Sequence, residues 1–508
     1  MPAKTLERLV AGLPISALEG TTDREITGIA YDSRDVLPGS LFVALEGIHI
    51  DGHRFIPDAL SRGAVAVLHS SPVESRTEGV GYARTENTRR LLSPVSAAFY
   101  DRPSNRLRVI GVTGTDGKSS TVWFIQQLLQ TLGKKSGFLS TVSFQTGELD
   151  VKNPFRQSTP EAPEIHGMLA EMLAKGREYA VVEATSHGLS ANTNRLGDVL
   201  FDAAVMTNVT HEHLEFHGSF EGYRSDKANL FRSLARSSEK PLDCPRFGVV
   251  NADDPSRDYF TGCTELPVYT YGMKNPADLR ASSPVWDASG CAFALEHGGR
   301  VRSTRISIPG PVWTENALAA VLAVSHMLKM DPLELAPFLS ALKGVKGRME
   351  SVDLGQSFAV IVDYAHTPGA FSRLMPWMKE RTGGKLIAVF GSAGERDREK
   401  RKMQGSIASK YCDVLVLTDE DPRGEDRMVI LEHIAEGCQG RRRGEDLLLV
   451  PDRPAAIRLA FSRAAAGDVV LLLGKGHEGS IISSDGSHEY DERTEAESAL
   501  REMGFNRR

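Results

Sequence analysis

Short apolar runs rich in Val, Ile and Leu recur along the chain from about Leu107 onward, separated by longer stretches with helical patterning. These runs are RLRVIGV, EYAVVEA, FDAAVMTN, RFGVVNADD, SFAVIVDY, KLIAVFG, DVLVLTD, DLLLVPD and DVVLLLG. Because they lack polar alternation, they are typical of parallel strands that helices cover on both faces. The sequence therefore predicts an α/β fold, with the ligand crevice just beyond the ends of the strands.

Chain length and patterning predict three domains, because 508 residues are too many for one ordinary hydrophobic core. A segment at about residues 272 to 312 reads as meandering β-structure, and a helix is predicted to begin near Thr314. We place boundaries near residues 103 and 346. The predicted domains are residues 1–102, 103–345 and 346–508.

The composition is that of a soluble globular protein, with 41% hydrophobic and 25% charged residues. A net charge of −6 argues against a nucleic-acid binder, which needs clustered Lys and Arg. The cysteines lie far apart without CxxC or CxxH spacing, which predicts reduced thiols. The N-terminus lacks the apolar core of a signal peptide, and the most apolar stretch, Val469 to Leu473, is too short to span a bilayer. We expect a cytoplasmic protein without membrane insertion.

A glycine-rich turn between a strand and a helix, in VIGVTGTDGKSSTVWFIQQLLQ, predicts a phosphate site. Gly114 and Gly117 let backbone N–H groups crowd around phosphate oxygens, Lys118 supplies a mobile charge, and the Ser119 hydroxyl can reach a magnesium ion. The turn departs from GxxxxGK[ST], because the earlier glycine is Gly111. The alternative is a tight strand–helix turn with an exposed lysine.

Polar side chains at two further strand ends are candidate ligands for the magnesium that accompanies ATP. Glu183 ends one strand, and the next is followed by Asn208, His211, His213 and His217. Carboxylate oxygens suit magnesium, although a solvated carboxylate and a loop histidine are the simpler interpretations of each residue alone. The three histidines also permit a zinc site, which is less favoured because neither HExxH nor a cysteine partner is present.

The sequence offers no motif for a protein nucleophile: it contains no GxSxG elbow and no cysteine with a motif-placed histidine. We therefore expect chemistry through phosphate. A carboxylate that ATP converts into an acyl phosphate can be attacked by an amine, with positioning and charge neutralisation supplying most of the catalysis. Amide formation is the predicted outcome.

A series of segments through nearly the whole chain resembles the Mur ligases, and within them the MurE-type UDP-N-acetylmuramoyl-tripeptide synthetases. The segments, each weak alone but specific in this order, are YDSRDVLPGSLFVAL, GIHIDGHRF, GTDGKSS, STPEAP, EATSHGL, TNVTHEHLEFHG, YRSDKANLF, NADDP, GRME, DYAHTP, FGSAGERDREKR, DPRGED and GKGHE. The resemblance implies an N-terminal UDP-substrate-binding domain, a central P-loop ATPase-like domain with a β extension, and a Rossmann-like C-terminal domain that binds the amino acid.

The resemblance also implies site residues for each substrate. The UDP-linked substrate is expected at Ser33, His49, Ser158, Thr159, Ser186 and Arg195. ATP is expected at Gly114, Thr115, Gly117, Lys118, Ser119, Ser120, Asn316, Arg348 and Asp363. Magnesium is expected at Ser119, Glu183, His213 and, once carbamylated, Lys227, and the implied catalytic set is Lys118, Glu183, His213 and Lys227. Taken alone, Lys227 reads as a surface helix lysine.

The incoming amino acid is implied to contact Arg396, Asp421, Arg423, Gly474 and Glu478. A guanidinium such as that of Arg423 suits the distal carboxylate of meso-diaminopimelate, and Glu478 suits an ammonium. The diaminopimelate-type pattern is DNPR, however, and this chain has Asp421 in place of the asparagine. An additional negative charge would favour L-lysine or L-ornithine, so these amines stay open as alternatives to meso-diaminopimelate.

The resemblance thus implies a monomeric ligase that uses ATP to join UDP-N-acetylmuramoyl-L-alanyl-D-glutamate to a diamino acid during peptidoglycan precursor synthesis. A folylpolyglutamate synthase-like ligase is an alternative that shares the phosphate loop, and the segment DSRDVLPGSLF argues against it. From a different class, a nucleotide-binding sensor that hydrolyses ATP incidentally is also open.

Overall fold

The computed structural model describes residues 3–47, 50–155, 157–210, 214–287, 290–308 and 310–506. The chain forms two compact units. The first comprises Met1–Ser307 and Pro311–Leu342, and the second comprises Ile308–Gly310 and Lys343–Arg508. Among the described residues, no helix has the length and apolar character needed to cross a membrane.

The N-terminal part of the first unit contains a five-stranded sheet. Its strands are β1 (Ala17–Gly20), β2 (Gly28–Ala30), β3 (Ser40–Val43), β4 (Ala66–His69) and β5 (Gly81–Arg84). The helices of this part are α1 (Leu6–Leu9), α2 (Ile56–Ser61) and α3 (Thr88–Phe99), with 3₁₀ turns at Ser33–Asp35 and Gly52–Phe55. The strand order is β1-β5-β4-β3-β2, with β1 antiparallel to β5 and the other pairs parallel.

The rest of the first unit is built on an eleven-stranded sheet. Its strands are β6 (Arg108–Thr113), β7 (Ser136–Leu139), β8 (Ser143–Gln145), β9 (Val151–Lys152), β10 (Tyr179–Glu183), β11 (Ala203–Met206), β12 (Phe247–Asn251), β13 (Val268–Gly272), β14 (Leu279–Asp287), β15 (Gly290–His297) and β16 (Arg300–Ile306). Its helices are α4 (Lys118–Thr131), α5 (Ala162–Ala174), α6 (Ser186–Leu189), α7 (Leu214–His217), α8 (Phe220–Ser233), α9 (Arg257–Thr261) and α10 (Pro311–Leu328), with 3₁₀ segments at Pro103–Arg106, Leu234–Glu239 and Pro332–Ala341.

The strand order of this sheet is β16-β15-β14-β13-β12-β11-β6-β10-β7-β8-β9. Every neighbouring pair in the section β14-β13-β12-β11-β6-β10-β7 of that order is parallel. Strands β14, β15 and β16 form the antiparallel extension predicted between residues 272 and 312. Helix α10 begins at Pro311 rather than near Thr314, because proline is well tolerated in the first turn of a helix. The carboxyl end of β6 lies between those of β10 and β11, where the phosphate loop begins.

Gly111 in β6 allows a helix to pack closely on this sheet. A Cβ atom at this position would lie 2.6 Å from Leu230 Cδ1 of α8 and 2.8 Å from the Phe201 ring, too close for real atoms. A side chain here would therefore push α8 away from the strand.

The second unit contains a six-stranded sheet, again mostly parallel. Its strands are β17 (Glu350–Ser351), β18 (Ala359–Asp363), β19 (Leu386–Phe390), β20 (Val414–Leu417), β21 (Leu447–Leu449) and β22 (Val469–Leu473), in the order β17-β18-β22-β19-β20-β21, and a hairpin is formed by β23 (Ser480–Ser483) and β24 (Gly486–Glu489). Its helices are α11 (Pro368–Arg381), α12 (Glu399–Tyr411), α13 (Arg427–Ala435), α14 (Arg453–Arg463) and α15 (Glu492–Glu502). Each apolar run identified in the sequence contains a strand, which confirms the predicted α/β fold.

Candidate functional site

The loop between β6 and α4 is shaped by two glycines. Gly114 and Gly117 have φ angles of 147° and 82°, in the region that favours glycine. A Cβ atom would lie 1.9 Å from Thr207 Oγ1 at Gly114 and 2.4 Å from Asn316 Oδ1 at Gly117. The loop thus packs against the end of β11 and the first turns of α10, which brings Asn316 to the predicted phosphate site.

Hydrogen bonds fix this loop in place. The backbone N–H groups of Thr115 and Asp116 donate to the carbonyl and side-chain oxygens of Asn208, at 2.7 and 3.0 Å. Lys118 Nζ donates to the carbonyl oxygens of Gly114 and Thr115 at 3.1 and 2.8 Å. The lysine ammonium therefore lies over the loop, where it can neutralise a phosphate, and this contradicts the alternative of an exposed turn lysine.

A hydroxyl and a carboxylate lie together beside the loop. Ser119 Oγ donates to Glu183 Oε2 at 2.9 Å, and Thr141 donates to the same carboxylate through its N–H at 2.9 Å and its hydroxyl at 2.8 Å. Glu183 is 2% exposed. Two adjacent hard oxygen donors at a phosphate loop fit magnesium, which takes its other ligands from phosphates and water.

The remaining predicted metal ligands differ in how the structure places them. His211 and His213 lie outside the described residues, and within the described part of the chain no group of three or more His, Cys, Asp or Glu side chains could hold a metal ion. Lys227, in α8, is 1% exposed, donates to Gly114 O at 2.7 Å and lies 4.3 Å from the centre of the Tyr223 ring. The simpler interpretation of Lys227 as a surface lysine is therefore wrong.

Thr159 and Arg195, predicted to contact the UDP-linked substrate, lie beside the end of β10. Thr159 Oγ1 donates to Glu183 O at 3.2 Å, and an Arg195 N–H donates to Thr159 O at 3.0 Å. Glu161 forms ion pairs with both Arg195 and Arg89, at 3.0 and 2.8 Å. These contacts hold Arg195 next to the phosphate-loop cluster, and the half-buried Ser158 directly precedes Thr159.

Ser186, at the start of α6, is joined to two side chains to which the sequence analysis gave no such role. Ser186 Oγ lies 3.0 Å from His217 Nε2, and His217 Nδ1 lies 2.7 Å from Asp226 Oδ2. His217 was considered there only among possible metal ligands, and Asp226 directly precedes Lys227. The sequence signal that could have identified Asp226 is the segment YRSDK, in which an acid directly precedes a predicted functional lysine.

Ser33 lies in the 3₁₀ turn that follows β2. It is buried, and its hydroxyl is the main cause of the lowered pKa of Asp58. Within the described ranges no hydrogen bond joins Ser33 to Thr159, Ser186 or Arg195, and His49 lies outside those ranges. The contacts of the uridine end therefore stay a prediction.

In the second unit, Arg348 and Asp363 lie near each other at the end of β18. Asp363 accepts hydrogen bonds from the backbone N–H groups of Met349 and Ala365, both at 2.7 Å, and burial raises its pKa. The Arg348 guanidinium lies 4.5 Å from the centre of the Tyr364 ring. Arg348 Nε is buried and has no hydrogen-bond partner among the described residues, which leaves a donor for a ligand.

Two of the acids predicted to bind the amino acid share one buried lysine. Lys475 Nζ donates to Asp421 Oδ1 at 2.8 Å and to Glu478 Oε2 at 2.5 Å, and the Lys475 side chain is 0% exposed. Ile482 N–H donates to Asp421 at 3.0 Å, and Tyr364 OH donates to Glu478 at 3.2 Å. The single positive charge of Lys475 is thus shared by two carboxylates, so Asp421 still adds a negative charge to the site, and L-lysine and L-ornithine stay open as acceptors.

The other residues predicted to contact the amino acid lie in different environments. Arg423 has φ of 56°, donates its backbone N–H to Ile482 O at 2.9 Å, and has a buried Nε without a partner among the described residues. Gly474 has φ of 104°, and a Cβ atom there would lie 3.4 Å from the Glu420 carboxylate. Arg396 is exposed, and the described part of the chain gives it no hydrogen bond or ion pair. The structure therefore groups Asp421 and Glu478 around Lys475, and the roles of Arg423, Gly474 and Arg396 stay predictions.

Comparisons with known proteins match most of the chain. Residues 25–100 match the Mur ligase family catalytic domain, residues 112–324 the Mur ligase middle domain, and residues 347–476 the Mur ligase glutamate ligase domain. A UDP-N-acetylmuramyl-tripeptide synthetase from Roseiflexus sp. (strain RS-1) is 47% identical over 95% of this chain and 96% of its own length. A UDP-N-acetylmuramoyl-L-alanyl-D-glutamate–2,6-diaminopimelate ligase from Syntrophomonas wolfei is 37% identical over 98% of this chain and 99% of its own. A solved structure of a ligase with that same name superposes with a TM-score of 0.65 at 27% identity, covering 99% of this chain and 100% of the other.

Proposed function

Because the chain belongs to the Mur ligase family, we propose that it is an ATP-dependent ligase that joins the D-glutamate carboxylate of UDP-N-acetylmuramoyl-L-alanyl-D-glutamate to the amine of a diamino acid. One observation carries this proposal: Lys118, Lys227 and the Ser119–Glu183 pair converge on one glycine loop. Phosphoryl transfer needs such an arrangement, because positioning and charge neutralisation supply most of its catalysis.

The reaction that we propose proceeds in two steps. A carboxylate oxygen of the substrate attacks the γ-phosphorus of ATP, which forms an acyl phosphate and releases ADP. The amine nitrogen then attacks the acyl carbon, and the C–O bond to phosphate breaks, giving the amide, phosphate and a proton. In both steps Lys118 and the loop N–H groups hold phosphate oxygens. Thr159, Ser186 and Arg195 hold the peptide end of the substrate.

Magnesium would be held by Ser119 and Glu183, with His213 and Lys227 as further predicted ligands. When bound, the ion neutralises charge on the phosphates. We also propose that Lys227 reacts with carbon dioxide: its ammonium loses one proton, the neutral amine attacks the carbon, and a second proton leaves as the carbamate forms. Its burial supports this proposal, because removal from water disfavours the charged ammonium relative to the neutral amine that attacks carbon dioxide.

For the acceptor we propose meso-diaminopimelate, with L-lysine and L-ornithine as the alternatives. The support comes from Arg423, whose buried Nε can donate to a distal carboxylate. Residues 1–102, 103–345 and 346–508 would bind the UDP substrate, ATP and the amino acid, respectively. We further propose that the enzyme acts as a cytoplasmic monomer.

The test is an assay of tripeptide formation by mass spectrometry together with phosphate release. A ligase should release phosphate only when the UDP-dipeptide and a diamino acid are both present, and Lys118→Ala should lower the rate by about 100-fold or more. The three diamino acids are offered in parallel, with meso-diaminopimelate expected to react fastest. Phosphate release without either co-substrate would indicate a nucleotide sensor, and glutamate addition to a folate would indicate the folylpolyglutamate synthase alternative.

A further inference from the structure

Ser186, which the proposed function treats as a substrate contact, is linked by hydrogen bonds to two side chains of the first unit, His217 and Asp226, that have no role in that proposal. Asp226 Oδ2 contacts His217 Nδ1 at 2.7 Å, and His217 Nε2 contacts Ser186 Oγ at 3.0 Å. The His217 side chain is 0% exposed and Ser186 is 2% exposed, whereas Asp226 is 23% exposed. The order Asp–His–Ser is the one in which a carboxylate orients an imidazole toward a hydroxyl.

Local hydrogen bonds hold these three side chains in position. Thr185 caps α6 by accepting a hydrogen bond from Gly188 N–H at 3.1 Å, which fixes Ser186 in the first turn after β10. Asn229 of α8 donates to Leu189 O of α6 at 3.0 Å, so the helix that carries Asp226 is tied to the helix that carries Ser186. The contact is therefore part of the packing of α6 on α8.

The chemistry of the two contacts sets the direction of the serine hydroxyl. An ionised carboxylate only accepts hydrogen bonds, so His217 Nδ1 must carry the proton that it donates to Asp226. In the neutral imidazole Nε2 is then an acceptor, and Ser186 donates its O–H to it. The lone pairs of Ser186 Oγ are left to accept a hydrogen bond from another group.

We propose that His217 and Asp226 are positioning residues that fix the Ser186 hydroxyl as a hydrogen-bond acceptor for a peptide N–H group of the UDP-linked substrate. This inference rests on the proposed function, because it takes Ser186 to be a substrate contact. It adds that the hydroxyl binds an amide rather than a carboxylate of that substrate.

The central test is Asp226→Asn, which keeps the size of the side chain. An asparagine amide can donate to Nδ1, which moves the imidazole proton to Nε2 and reverses the hydrogen bond to Ser186. We expect the KM for the UDP-dipeptide to rise about tenfold, as for the loss of one hydrogen bond to a buried group. The kcat and the KM for ATP should change by less than about twofold, because this contact is the same in ground and transition states.

A double-mutant cycle ties the effect to Ser186. Ser186→Ala should raise the KM for the UDP-dipeptide about as much as Asp226→Asn does, and the double variant should show no further rise, because residues that act through one another are not additive. Glu221→Gln, an exposed change of the same kind on α8, is the matched control and should leave every constant unchanged.

The outcomes separate this inference from the proposed function. An unchanged KM for the UDP-dipeptide in Ser186→Ala would remove Ser186 from the substrate site, and with it the premise. A raised KM in Ser186→Ala with none in Asp226→Asn would overturn the inference and leave the ligase proposal intact. An equal rise in the KM for ATP in Asp226→Asn would place the effect at neighbouring Lys227 and also overturn it. Covalent labelling of Ser186 by a fluorophosphonate would show a nucleophile instead of a positioned acceptor.

Discussion

Lys118 and Lys227 donate hydrogen bonds to the same carbonyl oxygen, that of Gly114, at 3.1 and 2.7 Å. They reach this oxygen from two different helices, α4 and α8. The two lysines therefore bring their amine groups to one point of the phosphate loop, where the proposed function places the phosphates of ATP and the carbamate of Lys227.

The first prediction concerns Lys227. Arginine keeps the positive charge but cannot take up carbon dioxide to form a stable carbamate, so we expect Lys227→Arg to lose activity as severely as Lys227→Ala. The kcat for tripeptide formation should fall by about 100-fold or more in both variants. A carbamate carbon signal should appear in the wild-type protein supplied with ¹³C-bicarbonate and be absent from both. Near-normal turnover by the arginine variant would contradict a carbamate at this position.

The second prediction concerns the choice of acceptor. Asp421→Asn removes one of the two acids that share Lys475, which makes the site less negative and better suited to a distal carboxylate. The ratio of kcat/KM for meso-diaminopimelate to that for L-lysine should rise by about tenfold. Asp426→Asn is the matched control, since asparagine also caps a helix and α13 should be undisturbed. A ratio that falls in Asp421→Asn would show that Asp421 does not act through its charge.

The third prediction concerns a buried ion pair in the second unit. Arg453 contacts Glu492 through two hydrogen bonds of 2.8 Å, and both side chains are 0% exposed. Arg453→Met leaves the glutamate charge buried without its partner, which should lower the free energy of unfolding by about 3–5 kcal/mol. Arg458→Met, on the same helix, breaks partly exposed pairs and should cost less than about 1 kcal/mol. If the two variants unfold at similar urea concentrations, the predicted difference in their free energies of unfolding is wrong.

The fourth prediction concerns pH. Burial, with repulsion from Asp253, raises the pKa of Glu315 from 4.5 to about 7. Between these values the folded protein holds a proton that the unfolded chain has lost, so this group stabilises the fold less as pH rises from about 5 to about 8. The loss is at most about 3 kcal/mol.

Glu315→Gln should abolish the part of the pH dependence of stability that comes from Glu315. The free energy of unfolding of the variant minus that of the wild type should increase by about 1–3 kcal/mol from pH 5 to pH 8. Both are measured by urea titration without nucleotide. Glu334→Gln, at an exposed position of the same unit, should show no such gain. Parallel pH profiles for Glu315→Gln and wild type would exclude Glu315 as the source.

The parts of the fold that the sequence predicts are those that local patterns determine. Continuous apolar runs indicated the strands, and the spacing of Gly114, Gly117 and Lys118 indicated the loop, because these features depend on neighbours in the chain. Contacts between distant residues were not predictable in this way. Ser186 and His217 lie 31 positions apart, and Asp421 and Lys475 lie 54 apart. The environment of Asp421 is one example, since its contact with Lys475 appears only after the chain has folded.

The absence of a side chain at Gly111 has a consequence for the chemistry that we propose. Leu230 of α8 occupies the space that a methyl group would need, and Lys227 lies one turn earlier on the same helix. Gly111, a buried residue without a functional group, therefore determines how closely the Lys227 amine approaches the phosphate loop. We therefore expect a side chain at position 111 to lower activity, although this position is buried away from solvent.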